Sequence, residues 1–232
     1  MRDTLTRGLP QLGVDPGRMA KLEEFSRLLL EKNQVMNLTA ITQPREVATL
    51  HLLDSLSLLP VAELDGKRVV DVGTGAGFPG VPLAIALPGM KITLLDSLNK
   101  RIEFLRESCA ALGVENATCV HARAEEFAAE HRESYDFAVS RAVASLQVLC
   151  ELTLPLVKVG GSFLAMKSSH TEEEINEAKG AIAKLGGRIA RVVDYTIPTT
   201  DVVHRVVVIE KVSPTPKKYP RRFAQIKKAP LN

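Results

Sequence analysis

Met19, Leu22, Phe25 and Leu29 recur at helical spacing behind Asp15-Pro16, where an aspartate suits the cap and a proline the first helical position. The pattern predicts an amphipathic helix reaching about Lys32. Residues 33–40 read as a loop, and Pro44 opens a second helix to about Leu59 with Val47, Leu50, Leu53 and Leu58 apolar. Beyond Asp65-Gly66 the period changes, and short strand-like runs alternate with helical ones. Strands are expected at 68–72, 92–95, 118–121, 135–139 and 162–166. The intervening helices are one capped by Ser97 and stopped by Gly113, one over 124–130, and one over 146–157 ended by Gly160-Gly161. Thr171 and Glu174 fit a capping box for a further helix, after which 188–197 and 202–212 read as strands joined by a short turn. Strand–helix units closed by a hairpin predict an α/β fold, its sheet mostly parallel with an antiparallel member at or near one edge and flanked by helices. The expected divisions are a helical extension over 1–60, a sheet domain over 61–212 and a tail over 213–232.

At 45% apolar and 25% charged residues the chain of 232 has the make-up of an ordinary globular protein. No run approaches the roughly 18 to 20 apolar residues of a membrane span, and no apolar leader follows Met1, so the expected setting is the cytoplasm without membrane contact. Cys109, Cys119 and Cys150 have neither disulfide nor zinc spacing and read as buried small hydrophobes; the histidines show no metal spacing, so no metal is expected. The net charge of +3 conceals an asymmetry. Lys211, Lys217, Lys218, Arg221, Arg222, Lys227 and Lys228 stand in a stretch without acids, leaving 23 basic against 27 acidic residues before it. A body of −4 thus carries a proline-punctuated tail of +7, a composition that points to a polyanion such as nucleic acid.

In open α/β sheets ligands sit beyond the carboxyl ends of the strands. The loop after the first strand reads Asp71-Val72-Gly73-Thr74-Gly75-Ala76-Gly77-Phe78-Pro79-Gly80, with glycines where a backbone must turn tightly or approach a ligand. The spacing also satisfies a dinucleotide fingerprint, and Asp96 suits ribose hydroxyls in either case. Two features favour S-adenosylmethionine. Pro79 removes a donor that a pyrophosphate would use, and Asp71 adds a negative charge that a cationic sulfonium tolerates. The terminal hairpin agrees with a Rossmann-like, seven-stranded class I methyltransferase sheet.

Asn37-Leu38-Thr39, His51-x-x-Asp54-Ser55-Leu56, Gly75-Ala76-Gly77-Phe78-Pro79-Gly80, Leu95-Asp96-Ser97-x-x-Lys100-Arg101, Ser140-Arg141-Ala142-Val143 and Tyr219-Pro220-Arg221-Arg222 occur in order over nearly the whole chain. Together they resemble the bacterial small-subunit ribosomal RNA guanine-N7 methyltransferase G family, also called glucose-inhibited division protein B. The resemblance implies transfer of a methyl group from S-adenosylmethionine to guanine N7 in a decoding-region loop of 16S RNA, on free RNA or the small ribosomal subunit, by a monomer. It implies cofactor contacts from Asp71, Gly73, Gly75, Gly77, Phe78, Asp96, Ala124, Glu125 and Arg141, with Arg141 positioning cofactor or base. Lys100, Arg101, Arg123 and Lys167 fall on the carboxyl-end rim and suit RNA phosphates, with Arg205 extending that surface. His51, Asp54 and Ser55 share one helical face and read first as a helix-packing hydrogen-bond group, with a pocket lid as the second reading. Where the family carries a glycine and, two positions on, a proline, this chain has Ala224 and Ile226.

Overall fold

A computed structural model describes residues 1–141 and 144–232; Ala142 and Val143 of the Ser-Arg-Ala-Val motif lie outside the described residues. Seven strands form one sheet: β1 (Arg68–Val72), β2 (Lys91–Asp96), β3 (Ala117–His121), β4 (Tyr135–Arg141), β5 (Val157–Ser168), β6 (Gly187–Thr196) and β7 (Val203–Lys211). Their order is β3-β2-β1-β4-β5-β7-β6. Six run in the same direction, and β7 alone is reversed, inserting antiparallel between β5 and β6 and pairing Lys167 with Arg205 and Ser168 with His204. β1 alternates as its period demands, sending Val69 into the core on one face and Val70 and Val72 into the core on the other.

The first face is covered by the N-terminal helices together with the helices Gly80–Ala86 and Asn99–Leu112, so Leu5, Leu22, Phe25 and Leu52 share one core with Val81, Leu94 and Leu105. The second face carries the helices Ala124–Glu130, Leu146–Thr153 and Glu172–Lys184, and here Tyr219 and Ile226 of the tail are buried as well. No helix among the described residues is long and apolar enough to cross a membrane.

Several expected boundaries move for identifiable reasons. A helix at Arg2–Gly8 was not legible because only Leu5, with Leu9 behind it, marks its buried side. Residues 44–56 do form a helix, but its middle, Val47–Leu53, is wound as a π-helix, a departure that clusters at functional sites. Gly160-Gly161 does not end a helix. The ladder pairs Tyr135 with Val157 and resumes at Phe137 with Ser162, so residues 158–161 bulge, and a Cβ on Gly161 would collide with the Asp136 carbonyl. Asp15 caps as expected, accepting from Gly17 N at 2.9 Å. Ser97 and Thr171 do not cap with their side chains. The Asp96 carboxylate takes Leu98 N instead, and Glu174 is drawn off to Leu146 N and Lys167 Nζ. Cys109 and Cys150 are buried free thiols, whereas Cys119 on β3 is only part-buried.

Candidate active site

After Val72 the backbone turns through Gly73, Gly75 and Gly77 at φ of 73°, 59° and 98°, left-handed conformations that favour glycine. The turn is tied from below. Gly80 N donates to Oδ2 of the fully buried Asp71 at 2.9 Å, while Asp71 Oδ1 has no partner among the described residues. Burial pushes the Asp71 carboxyl up to about 7. Gly77 has no room for a side chain, since a Cβ would strike Leu105 and Val81. Asp96, at the end of β2, holds the other side of the turn by accepting from Gly75 N at 2.9 Å.

The loop overhangs a cleft of about 530 Å³ at the carboxyl ends of the parallel strands. Gly73, Gly75, Phe78, Asp96, Ala124, Glu125 and Arg141 line it, together with Arg101 and Arg123 from the rim. Leu98, Leu152 and Phe223 supply apolar wall, and Leu38, Thr39 and His51 of the N-terminal segment contribute as well.

Arg141 joins the strands to the N-terminal helices. Its Nη1 donates to Leu50 O at 2.9 Å and to Asp54 Oδ2 at 2.8 Å, and its guanidinium lies 5.1 Å from the centre of the Phe78 ring. His51 Nδ1 lies 3.0 Å from Arg141 Nη2 and 3.1 Å from Leu50 O; because a guanidinium only donates, the Arg141 contact assigns Nδ1 as acceptor and places the ring hydrogen on Nε2, which donates to Thr39 Oγ1 at 2.8 Å. Burial first and the Arg141 charge second push the His51 imidazole down to about 4, consistent with that neutral tautomer. The His51 ring stacks on Phe78 with centroids 4.5 Å apart. Asp54 Oδ1 accepts from Tyr195 of β6 and His204 of β7, each at 2.8 Å. Burial alone would raise the Asp54 carboxyl, but the His204 hydrogen bond, the Arg141 charge and the Tyr195 hydroxyl together hold it low.

The family model described as rRNA small subunit methyltransferase G, GidB, matches residues 18–203. The chain belongs to this family. Over 232 residues it is 48% identical to the ribosomal RNA small subunit methyltransferase G of Alkaliphilus metalliredigens, covering 98% of this chain and 97% of that one. Among solved structures it is similar to TrmN from Thermus thermophilus, with a TM-score of 0.54 and 22% identity over 68% of this chain and 48% of that one. It is also similar to a SAM-dependent methyltransferase from Aquifex aeolicus, with a TM-score of 0.52 and 19% identity over 72% of this chain and 93% of that one. At those identities the likeness is one of fold, and the fold is the class I methyltransferase sheet.

For this GidB-family chain the structure gathers most, though not all, of the expected site residues. Asp71 and Gly77 stand behind the loop rather than in the cleft wall. Arg101 reaches Asp96 Oδ2 at 3.3 Å across the cleft edge, Arg123 and Lys100 are exposed, and Lys100 stands on the helix that follows β2. Lys167 and Arg205 are elsewhere. Lys167 donates to Ala144 O and Glu174, each at 2.7 Å, with its side chain only 9% exposed. Arg205 is clasped between Asp194 and Glu172. Both charges are internally neutralised, so neither offers a free cation to a phosphate. Sequence reasoning missed Tyr195, which carries no local motif, and Phe223, which sits in a tail whose charge obscured it. It ranked helix packing first for His51 and Asp54; Asp54 packs in that way, while His51 also faces the cleft.

Proposed function

We propose that the protein transfers the methyl group of S-adenosylmethionine to N7 of a guanine in 16S ribosomal RNA. The observation that carries this reading is the cleft under the Gly73–Gly80 loop in a chain of this family, with Asp96 at its edge and Arg141 at the end of β4. The residues suit such a ligand. A volume of about 530 Å³ is of the size that small-molecule sites have. The buried Asp96 retains acceptor capacity for a ribose hydroxyl beside its bonds to Gly75 N, Leu98 N and Arg101. Of the five N–H donors of Arg141, three are bound among the described residues, and the remaining two are available for a carboxylate or for guanine O6.

When bound, S-adenosylmethionine supplies an electrophilic methyl on a sulfonium, and displacement by a nitrogen lone pair releases S-adenosylhomocysteine. The protein's work is then alignment and exclusion of water. The Phe78–His51 stack and the guanidinium beside Phe78 present flat surfaces against which a purine can be held. No proton needs removal from N7, and the groups near the cleft agree: Nδ1 of His51 is occupied by Arg141, and the Asp54 carboxylate is buried outside the cleft wall with both oxygens hydrogen-bonded. Lys100, Arg101 and Arg123 give the rim its positive charge for phosphates.

The test is transfer of labelled methyl from S-adenosylmethionine to small ribosomal subunits, and separately to free 16S RNA, from cells lacking this gene, with N7-methylguanine mapped by chain cleavage. One cleavage in the decoding-region loop is the expected result. Cofactor binding without transfer to either substrate would overturn the RNA reading.

A further inference from the structure

The tail was expected to be a basic strap, yet its anchoring residues are spent inside the molecule. Lys211 is fully buried and donates to Leu154 O, Val157 O and Glu133. Arg221 makes two bonds to the fully buried Glu151, Nε to Oε1 at 2.8 Å and Nη2 to Oε2 at 2.7 Å, and its own backbone N donates to Oε1 at 2.9 Å. Arg132 donates to the carbonyls of Thr215, Pro216 and Tyr219. Tyr219 and Ile226 are buried on either side of these contacts. A segment gripped at so many points is a fixed wall.

Phe223 projects from that wall into the cleft. Its backbone N donates to Glu125 Oε1 at 3.3 Å, and the Arg123 guanidinium lies 5.9 Å from the centre of its ring. Ala124 and Glu125 follow β3, one strand beyond Asp96 and on the side away from Gly73 and Arg141, so a nucleoside whose ribose meets Asp96 and whose amino-acid end meets Arg141 would lay its base towards them. Ala124 and Leu152 share one apolar cluster with Phe223, and Leu98 lines the same cleft. We infer that Phe223 is a cofactor-binding residue, its ring forming the tail's contribution to the adenine slot, and that the Arg221–Glu151 pair acts as the positioning contact that holds it there. The inference rests on the S-adenosylmethionine reading above and adds to it the part of the ligand that the tail touches.

Calorimetric titration of the full chain with S-adenosylhomocysteine and with 5′-methylthioadenosine, which keeps the adenosine half and lacks the amino acid, tests it. Phe223→Ala is expected to weaken both ligands by the same factor, about tenfold for a lost base–aromatic contact, while Phe223→Tyr stays within about twofold of the parent on the same stacking argument. Arg221→Ala, outside the cleft, is expected to weaken both ligands in parallel. If Phe223→Ala does not fold, Phe223→Leu carries the same test, because it keeps the bulk and loses only the aromatic face. Unchanged affinity in the folded variant, or a loss confined to S-adenosylhomocysteine, would overturn the assignment while leaving the cofactor reading intact. Failure of the parent protein to bind either ligand would overturn both.

Discussion

Asp71 and Asp54 are both buried aspartates, and their surroundings give them opposite responses to pH. Asp71 has one carboxylate oxygen bonded to Gly80 N and the other without a partner among the described residues, so burial dominates and its carboxyl titrates near 7 in the folded protein. The unfolded value is about 3.9, so the native state holds this proton more tightly. The stability it contributes is full below about pH 4 and is lost as the pH climbs towards 7. Asp54, held low by His204, Arg141 and Tyr195, contributes above the unfolded value and loses its effect as the solution acidifies through its native value. Asp71→Asn keeps an acceptor for Gly80 N and removes the titration. Its urea midpoints, followed from about pH 4.5 to 7.5, should therefore fall less with rising pH than those of the parent. Parallel curves would show that Asp71 is ionised throughout.

At the scale of elements, Asp54 connects pieces that no local pattern would join: the N-terminal helix that bears it, β4 through Arg141, β6 through Tyr195 and β7 through His204. Asp54→Ala strips the partner from a guanidinium that is only 15% exposed. The expected cost is about 3 to 5 kcal/mol of unfolding free energy, with Asp54→Asn losing less, as read from urea midpoints near neutral pH. The strands were legible because short β-branched runs such as Val69-Val70 stand between turn glycines. The Gly73–Gly80 loop and Asp96 were legible because their chemistry is local to one turn. What escaped was set at long range. Arg141 looked like an open cleft arginine, yet three of its donors are consumed by residues some ninety positions away. Gly160-Gly161 resembled a helix stop, because nothing in the neighbouring sequence announces the Asp136 carbonyl against which it packs.

Over the whole molecule, formal charge proved a poor guide to available charge. The +7 counted in the tail includes Lys211 and Arg221, both paired internally, and Lys167 and Arg205 are neutralised in the same way within the sheet domain. Exposed cations near the cleft are fewer. Arg101 is an ambiguous probe of RNA contact because it also touches Asp96, whereas Lys100 is exposed and does not line the cleft. Lys100→Ala should therefore weaken RNA binding and lower the slope of log affinity against log salt by about one, with S-adenosylhomocysteine affinity unchanged. An unaltered slope would remove Lys100 from the interface.

The walls of the cleft run from Leu38 in the N-terminal segment to Phe223 in the tail, with the strands between them. During synthesis, β1 to β4 and the Gly73–Gly80 loop emerge well before Phe223 does. A nascent chain can thus have its glycine turn in place and still lack one wall of the cleft, so the cleft is completed only late in the making of each molecule.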